Sequence, residues 1–209
     1  MVYLSYRKSV NQKNKEKTMP NANTTKAALG ESLKKLVLTK RLEKITINDL
    51  TADCGISRMA FYYHFKDIYD LVEWVCVEDG RKALQDKKTY ETWQEGMGQI
   101  FDAVLENKDF ILNVYRSIGR EKVESYLYKF TYDMIKAVVE EKCRGIALAV
   151  EHKAFIADFY KYGFVGIMLD WIDHGMKADY AEIVENMGVM LHGNIARSIE
   201  NFEKADNGG

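Results

Sequence analysis

The stretch from Thr46 to Leu71, TINDLTADCGISRMAFYYHFKDIYDL, decides how this chain is read. Ile47, Leu50 and Cys54 recur at i, i+3 and i+7 behind Thr46, a residue type that caps helix N-termini by accepting a backbone N–H. Gly55 and Ile56 interrupt that pattern, and Ser57 offers a second cap ahead of Arg58 to His64. Phe61 and Phe65 then lie one turn apart. Two short capped helices meeting at a glycine are the layout of a helix-turn-helix, because the turn needs a residue that tolerates positive φ. Asp67 caps a longer fourth helix carrying Ile68, Leu71, Val72 and Val75.

Working outward, Ala28, Leu29, Leu33, Leu36 and Val37 share one face of a helix from Thr24 to Thr39. Pro20 is the only proline of the 209 residues and precedes every strongly periodic segment, so nothing after it forbids a helix. Further helices are expected at Tyr90 to Asn107, Asp109 to Ser117, Glu121 to Lys142, Val150 to Gly175 and Tyr180 to Lys204, separated by Gly or charged clusters. No series of short alternating runs supports a sheet. The expected fold class is therefore all-α: an N-terminal three-helix helix-turn-helix domain followed by a helical C-terminal domain. The expected boundaries are a disordered basic arm over 1–23, the helix-turn-helix domain over 24–84 with its motif at 46–66, the second helical domain over 85–204, and a disordered tail over 205–209. Residues 1–18 also read as upstream of a start at Met19.

Thirty Lys plus Arg against 31 Asp plus Glu leave a formal net charge of −1. A polybasic coat is excluded, and any nucleic-acid surface must be local. Between Thr24 and Asp67 eight basic residues face five acids, a mildly basic segment suited to phosphate. Three cysteines without a C-x-x-C pair suit a reducing compartment, and no apolar run approaches a membrane span. A cytoplasmic protein is expected, with no membrane partner.

The same Thr46 to Leu71 stretch resembles the DNA-binding domain of the TetR family of bacterial transcription regulators. The matching features are Thr46 opening the second helix, Cys54-Gly55 in the turn, the Ser57 cap and Tyr62-Tyr63-His64-Phe65 before the long helix. The C-terminal half, with Trp171-Ile172-x-x-Gly175-Met176, looks like the branch that includes regulators of dihydroxyacetone kinase operons. The resemblance implies a homodimer, a double-stranded DNA operator, a small-molecule or protein effector, and a ligand-binding and dimerisation domain, the effector and dimer domain, over 85–204. Two positions depart from the pattern: Ala60, where the family often has Thr, and Ile68, where it often has Lys. Lys66 is the candidate substitute for the latter.

On this reading Arg58 reads guanine and Met59 meets a thymine methyl at the exposed start of the recognition helix. Thr46, Ser57, Tyr62, Tyr63, His64 and Lys66 are candidates for phosphate, with helix capping the alternative for Thr46 and Ser57 and packing the alternative for Tyr63. Phe155, Tyr162, Gly166, Ile183, Met187, Leu191, Ile195 and Ile199 form the expected dimer stripe of a four-helix bundle, the alternative being that they face the subunit's own core. Trp93, Met97, Phe101, Tyr115, Phe130, Met134 and Phe159 are candidates to line an effector pocket, or simply to fill the core.

Four histidines in no ligand spacing argue against a metal site. Gly96-Met97-Gly98 lacks the third glycine and preceding strand of a dinucleotide turn. Ser32-x-x-Lys35 matches a nucleophile motif by spacing alone. No catalytic residue, metal or cofactor is expected. The function expected is a ligand-responsive homodimeric repressor released from its operator by an effector. The alternatives are an activator controlled by a partner protein, or a helical effector-binding module that has lost DNA binding, which Ala60 and Ile68 would favour.

Overall fold

A computed structural model describes residues 22–84 and 89–207, with the side chains of Phe130 and Asn207 outside the description. The expected basic arm lies outside the described residues up to position 21, as do residues 208–209 of the expected tail. The described residues form helices α1 (Ala22–Val37), α2 (Ile47–Cys54), α3 (Arg58–His64), α4 (Ile68–Leu84), α5 (Trp93–Glu106), α6 (Lys108–Ile118), α7 (Arg120–Lys142), α8 (Val150–Asp173), α9 (Tyr180–Leu191) and α10 (Asn194–Asn207), with a 3-10 turn at Leu42–Lys44. Among them there is no strand, and the fold is all-α.

Helices α1 to α3 pack with the start of α4 around Leu29, Leu33, Leu50, Phe61, Leu71 and Val72, all fully buried. The apolar periodicity of each segment thus becomes one shared core. Thr46 accepts from the Asp49 N–H while the Asp49 carboxylate takes the Thr46 N–H, a reciprocal capping box that starts α2. Gly55 ends it at φ 65°, with Ile56 N–H bonded back to Thr51 C=O at 3.0 Å. That left-handed closure lets α3 leave at a steep angle.

The rest is a helical bundle in which α7 and α8 pack along their length and α4 leans on α5 and α7. Phe101, Phe164, Val165, Met168 and Leu169 lie at its centre. One expectation is corrected: the single helix from Tyr180 to Lys204 is two. His192 turns extended and Gly193 adopts φ 73°, a conformation glycine takes without steric cost. Asn194 Nδ2 then donates to Met190 C=O, holding the corner. α10 runs on to Asn207, past Lys204 and into the segment read as a tail.

Candidate nucleic-acid interface

Seven residues make up α3, and its two faces differ completely. Ser57 Oγ accepts from Ala60 N–H at 3.2 Å, fixing the first turn, and Phe61 is fully buried against Phe65 and the α1–α4 core. With one face anchored, the opposite face stands in solvent: Met59 and Tyr63 are each 82% exposed, Tyr62 is 49% exposed, and Arg58 is exposed too. The Arg58 guanidinium lies 5.9 Å from the Tyr62 ring centroid and donates to its hydroxyl at 3.3 Å. This i, i+4 pair holds the guanidinium fork over the helix surface.

Thr46, Ser57 and Lys66 are exposed, and His64 is half-buried with its ring edge-on to Tyr63. Tyr63 does not pack into the core, one of the two readings its position allowed. Ala60, half-buried, contributes only its N–H to the Ser57 cap. Asp67 Oδ1 accepts from Asp70 N–H at 2.9 Å, and Asp70 Oδ2 from Lys66 N–H at 2.9 Å. The base of α4 is thereby fixed next to the Lys66 side chain.

Two residues that sequence reasoning missed belong to this surface. Lys40 Nζ donates to Asp49 Oδ2 at 2.7 Å, and the same oxygen accepts from Thr46 N–H at 2.7 Å and Thr46 Oγ1 at 2.8 Å. The Lys40 bond, followed by the two from Thr46, holds the Asp49 carboxyl down at about 2. The ion pair also neutralises an acid that would otherwise repel phosphate beside Thr46. The signal was legible as Thr46-x-x-Asp49, a capping-box spacing; Lys40, on the preceding connection, carried none.

The expected dimer stripe divides in two. Met187, Ile195 and Ile199 are buried in their own subunit, and Gly188 packs against Gln94 of α5. Phe155, Phe159, Tyr162, Ile167, Val189 and Met190 are exposed, and Gly166, Ile183 and Leu191 are partly exposed. Between α8 and the α9–α10 corner lies an open groove of about 960 Å³ with Phe159, Tyr162, Ile167, Ile183 and Met190 on its walls and Arg197 and Asn201 on its α10 lip. Ile167, Val189, Met190 and the α10 lip were not singled out from the sequence; the break at Gly193 turns the α10 lip toward the groove.

The expected effector residues are not gathered into one cavity. Trp93, Met97 and Met134 do meet, together with Phe164, but around a void of only about 20 Å³, room for roughly one water. Phe101 is fully buried on the far side of Phe164, edge-on to it at 6.1 Å, 5.0 Å from Trp171 and stacked on Tyr180 at 5.7 Å. Tyr115 is half-buried on α6, Phe159 opens into the surface groove, and the Phe130 side chain lies outside the description. A second void of about 40 Å³ lies among α4, α5, α6 and α7 beside Cys76 and Tyr126. Burial is the first cause pushing both groups up to about 12. Among the described residues no cluster of His, Cys, Asp and Glu has the arrangement of a metal site, and no helix is long and apolar enough to cross a membrane.

Comparison with known proteins agrees with this architecture. Residues 91–193 match the TetR_C_8 family, described as the transcriptional regulator C-terminal region. The chain is 25% identical over 152 residues to the HTH-type transcriptional regulator YerO of Bacillus subtilis, covering 65% of this chain and 53% of that protein. It is 22% identical over 97 residues to the HTH-type dhaKLM operon transcriptional activator DhaS of Lactococcus lactis, covering 46% of this chain and 52% of that one. The chain thus spans about half the length of the curated relatives it matches. The solved structure of a dihydroxyacetone kinase operon activator DhaS superposes with a TM-score of 0.60 at 17% identity, over 85% of this chain and 97% of that one. A helix-turn-helix pattern in the first three helices, a C-terminal region matched to a transcriptional regulator model and relatives named as HTH-type regulators converge: the chain is similar to the TetR family of transcriptional regulators, with DhaS among its relatives.

Proposed function

We propose that the chain works as a homodimeric DNA-binding transcription regulator in which α3 enters the major groove. The observation that carries this is the split of α3 into a buried anchor, Phe61, and an exposed face of Arg58, Met59, Tyr62 and Tyr63. On this proposal Arg58 pairs with guanine O6 and N7 and Met59 meets a thymine methyl. Thr46, Ser57, Tyr62, Tyr63, His64 and Lys66 surround them as phosphate contacts that set register without reading sequence. Residues 24–84 form the DNA-binding domain on this reading, and 85–204 the effector and dimer domain.

One such unit spans few base pairs, and two-fold pairing supplies the second half-site. The exposed apolar side chains of α8 and α9, with Phe155, Tyr162, Gly166, Ile183 and Leu191 among them, are the surface for that pairing. Effector control runs through the bundle, and the output is repression relieved by an effector. A second reading, activation governed by a partner protein, is favoured by two observations. The internal voids of about 20 and 40 Å³ are far below the size of a ligand pocket, and the relative DhaS is named an activator. In either case the protein acts in the cytoplasm.

Titration of Arg58→Ala and Tyr62→Ala against DNA from upstream of the chain's own gene, at two salt concentrations, tests the proposal. Arg58→Ala weakens binding roughly 10-fold to 100-fold and relaxes preference at one base, the loss expected of a bidentate contact. Tyr62→Ala weakens binding evenly across sequences. Isotherms unchanged from the parent protein overturn the proposal, and transcript levels in a deletion strain distinguish repressor from activator.

A further inference from the structure

A single side chain of the C-terminal bundle reaches across to the connection between α1 and α2. Asn113, on α6, accepts from Leu42 N–H at 3.0 Å through Oδ1. Its Nδ2 donates to Val37 C=O at 3.1 Å and to Lys40 C=O at 3.4 Å. Ser117 Oγ, one turn further on, donates to the same Oδ1 at 3.4 Å and orients the amide. Val37 is the last residue of α1, so its carbonyl is one of the four that a helix leaves without an internal partner. Val37 and Leu42 are both buried, where an unmet backbone group is costly.

The connection held in this way carries Lys40, whose ammonium holds Asp49, whose carboxylate in turn takes both the N–H and the hydroxyl of Thr46. Asn113, the α1–α2 connection, Lys40, Asp49 and Thr46 therefore form an unbroken series of hydrogen bonds and short chain segments from the bundle to the N-terminus of α2. We infer that Asn113 is a positioning residue for DNA binding, setting through Lys40 and Asp49 where the start of α2 stands against the phosphate backbone. The inference rests on Thr46 being a phosphate contact. It also supplies the effector domain with a lever on the DNA surface: a shift of α6 breaks three backbone bonds together, and the connection must move or leave buried groups unpaired. A cycle of single and double variants measures the coupling along this series.

The full-length chain and its Asn113→Ala, Lys40→Ala, Arg58→Ala, Asn113→Ala/Lys40→Ala and Asn113→Ala/Arg58→Ala variants are titrated with the upstream DNA. Backbone hydrogen exchange is followed in the same proteins without DNA. Asn113→Ala is expected to weaken DNA binding about tenfold, within the range typical of coupled sites. Adding Lys40→Ala weakens it less than the product of the two single effects, because both act on one series of contacts; adding Arg58→Ala multiplies the effects, because that residue touches DNA separately. Exchange at Leu42 and at Asp49, whose N–H bonds to Thr46 Oγ1, rises together by about tenfold while the α7–α8 core is unchanged. Ser117→Ala, which keeps all three backbone bonds, shifts the same amides in the same direction by less, and it carries the test if Asn113→Ala does not fold. Parental DNA affinity in Asn113→Ala, or multiplicative loss with Lys40→Ala, overturns the inference. Should the parent protein bind no DNA, the proposed function fails and exchange decides alone: acceleration reaching Asp49 supports the positioning series, and acceleration confined to Leu42 refutes it.

Discussion

Helices α3 and α8 both bring large side chains to the surface, and they do so in opposite chemical styles. On α3 the exposed residues beside Met59 are tyrosines and an arginine, each ending in a donor, mounted on a helix held by one buried phenylalanine. On α8 the exposed Phe155 and Phe159 end in nothing polar, and Phe159 shares a groove with Ile167 of its own helix and Met190 of α9. A surface with polar tips can meet a charged, hydrated partner and stay soluble without it. A contiguous apolar face is rare on a monomer and marks a site that another apolar face covers. The difference teaches that exposure by itself says little; the chemistry at the tip of each exposed side chain separates a wet interface from a dry one.

The largest effect is expected at the anchor of α3. Phe61→Ala leaves a void in the small core and is expected to cost about 3–5 kcal/mol, whereas Tyr63→Ala two positions away stays within about 0.5 kcal/mol; chemical denaturation of the two variants reads the contrast. Equal losses would mean that α3 has no free face.

Next in size is the apolar face itself. Phe159→Glu combined with Met190→Glu buries charge in the proposed pairing surface and is expected to weaken association by about 2 kcal/mol or more, seen as monomer in sedimentation. Arg58→Glu, on the polar-tipped face, leaves the association state as it was. A dimer that survives the double change places the pairing surface elsewhere.

A smaller effect is expected at the turn that aims α3. Gly55→Ala forces a side chain into φ 65° and should cost about 1–2 kcal/mol, measured as a shift in the denaturation midpoint. No heavy atom lies near where its Cβ would stand, so any loss reports backbone strain alone.

The mildest effect is acid-dependent. The Asp49 carboxyl sits at about 2, below its ordinary 3.8, because of Lys40 and Thr46. A folded-state value below the unfolded one means its contribution is complete above about pH 4 and disappears as pH falls toward 2. The Asp49→Asn variant should lose that part of the acid limb, while Asp49 carboxyl chemical shifts followed by NMR in the parent protein should report a midpoint near 2. A midpoint at the ordinary value would show that Lys40 does not hold the carboxylate in solution.

How legible these features were in the chain depended on how local their causes are. The Thr46 and Ser57 caps, the Gly55 turn and the burial of Phe61 all follow from contacts within one or two turns, and each stood in the sequence before any coordinates. The stripe from Ile183 to Ile199 was legible as apolar but not in its direction. Ile195 and Ile199 turn inward because Gly193 breaks the helix and swings α10 onto α7 and α8. Trp93, Met97 and Met134 do meet, yet nothing in their spacing could reveal that so little space remains between them. Asn113 drew no attention at all, since its partners lie more than seventy positions away in the chain.

The order of residues alone determined that this is an all-helical protein with a capped pair of short helices at its N-terminal end, because helix periodicity, caps and glycine turns act over a few residues. Only the tertiary structure decided which apolar face of the bundle stays open, how little room its interior keeps, and that an asparagine of α6 ties off the end of α1. Those outcomes depend on which distant surfaces meet, and close packing between remote segments leaves no periodic trace along the chain.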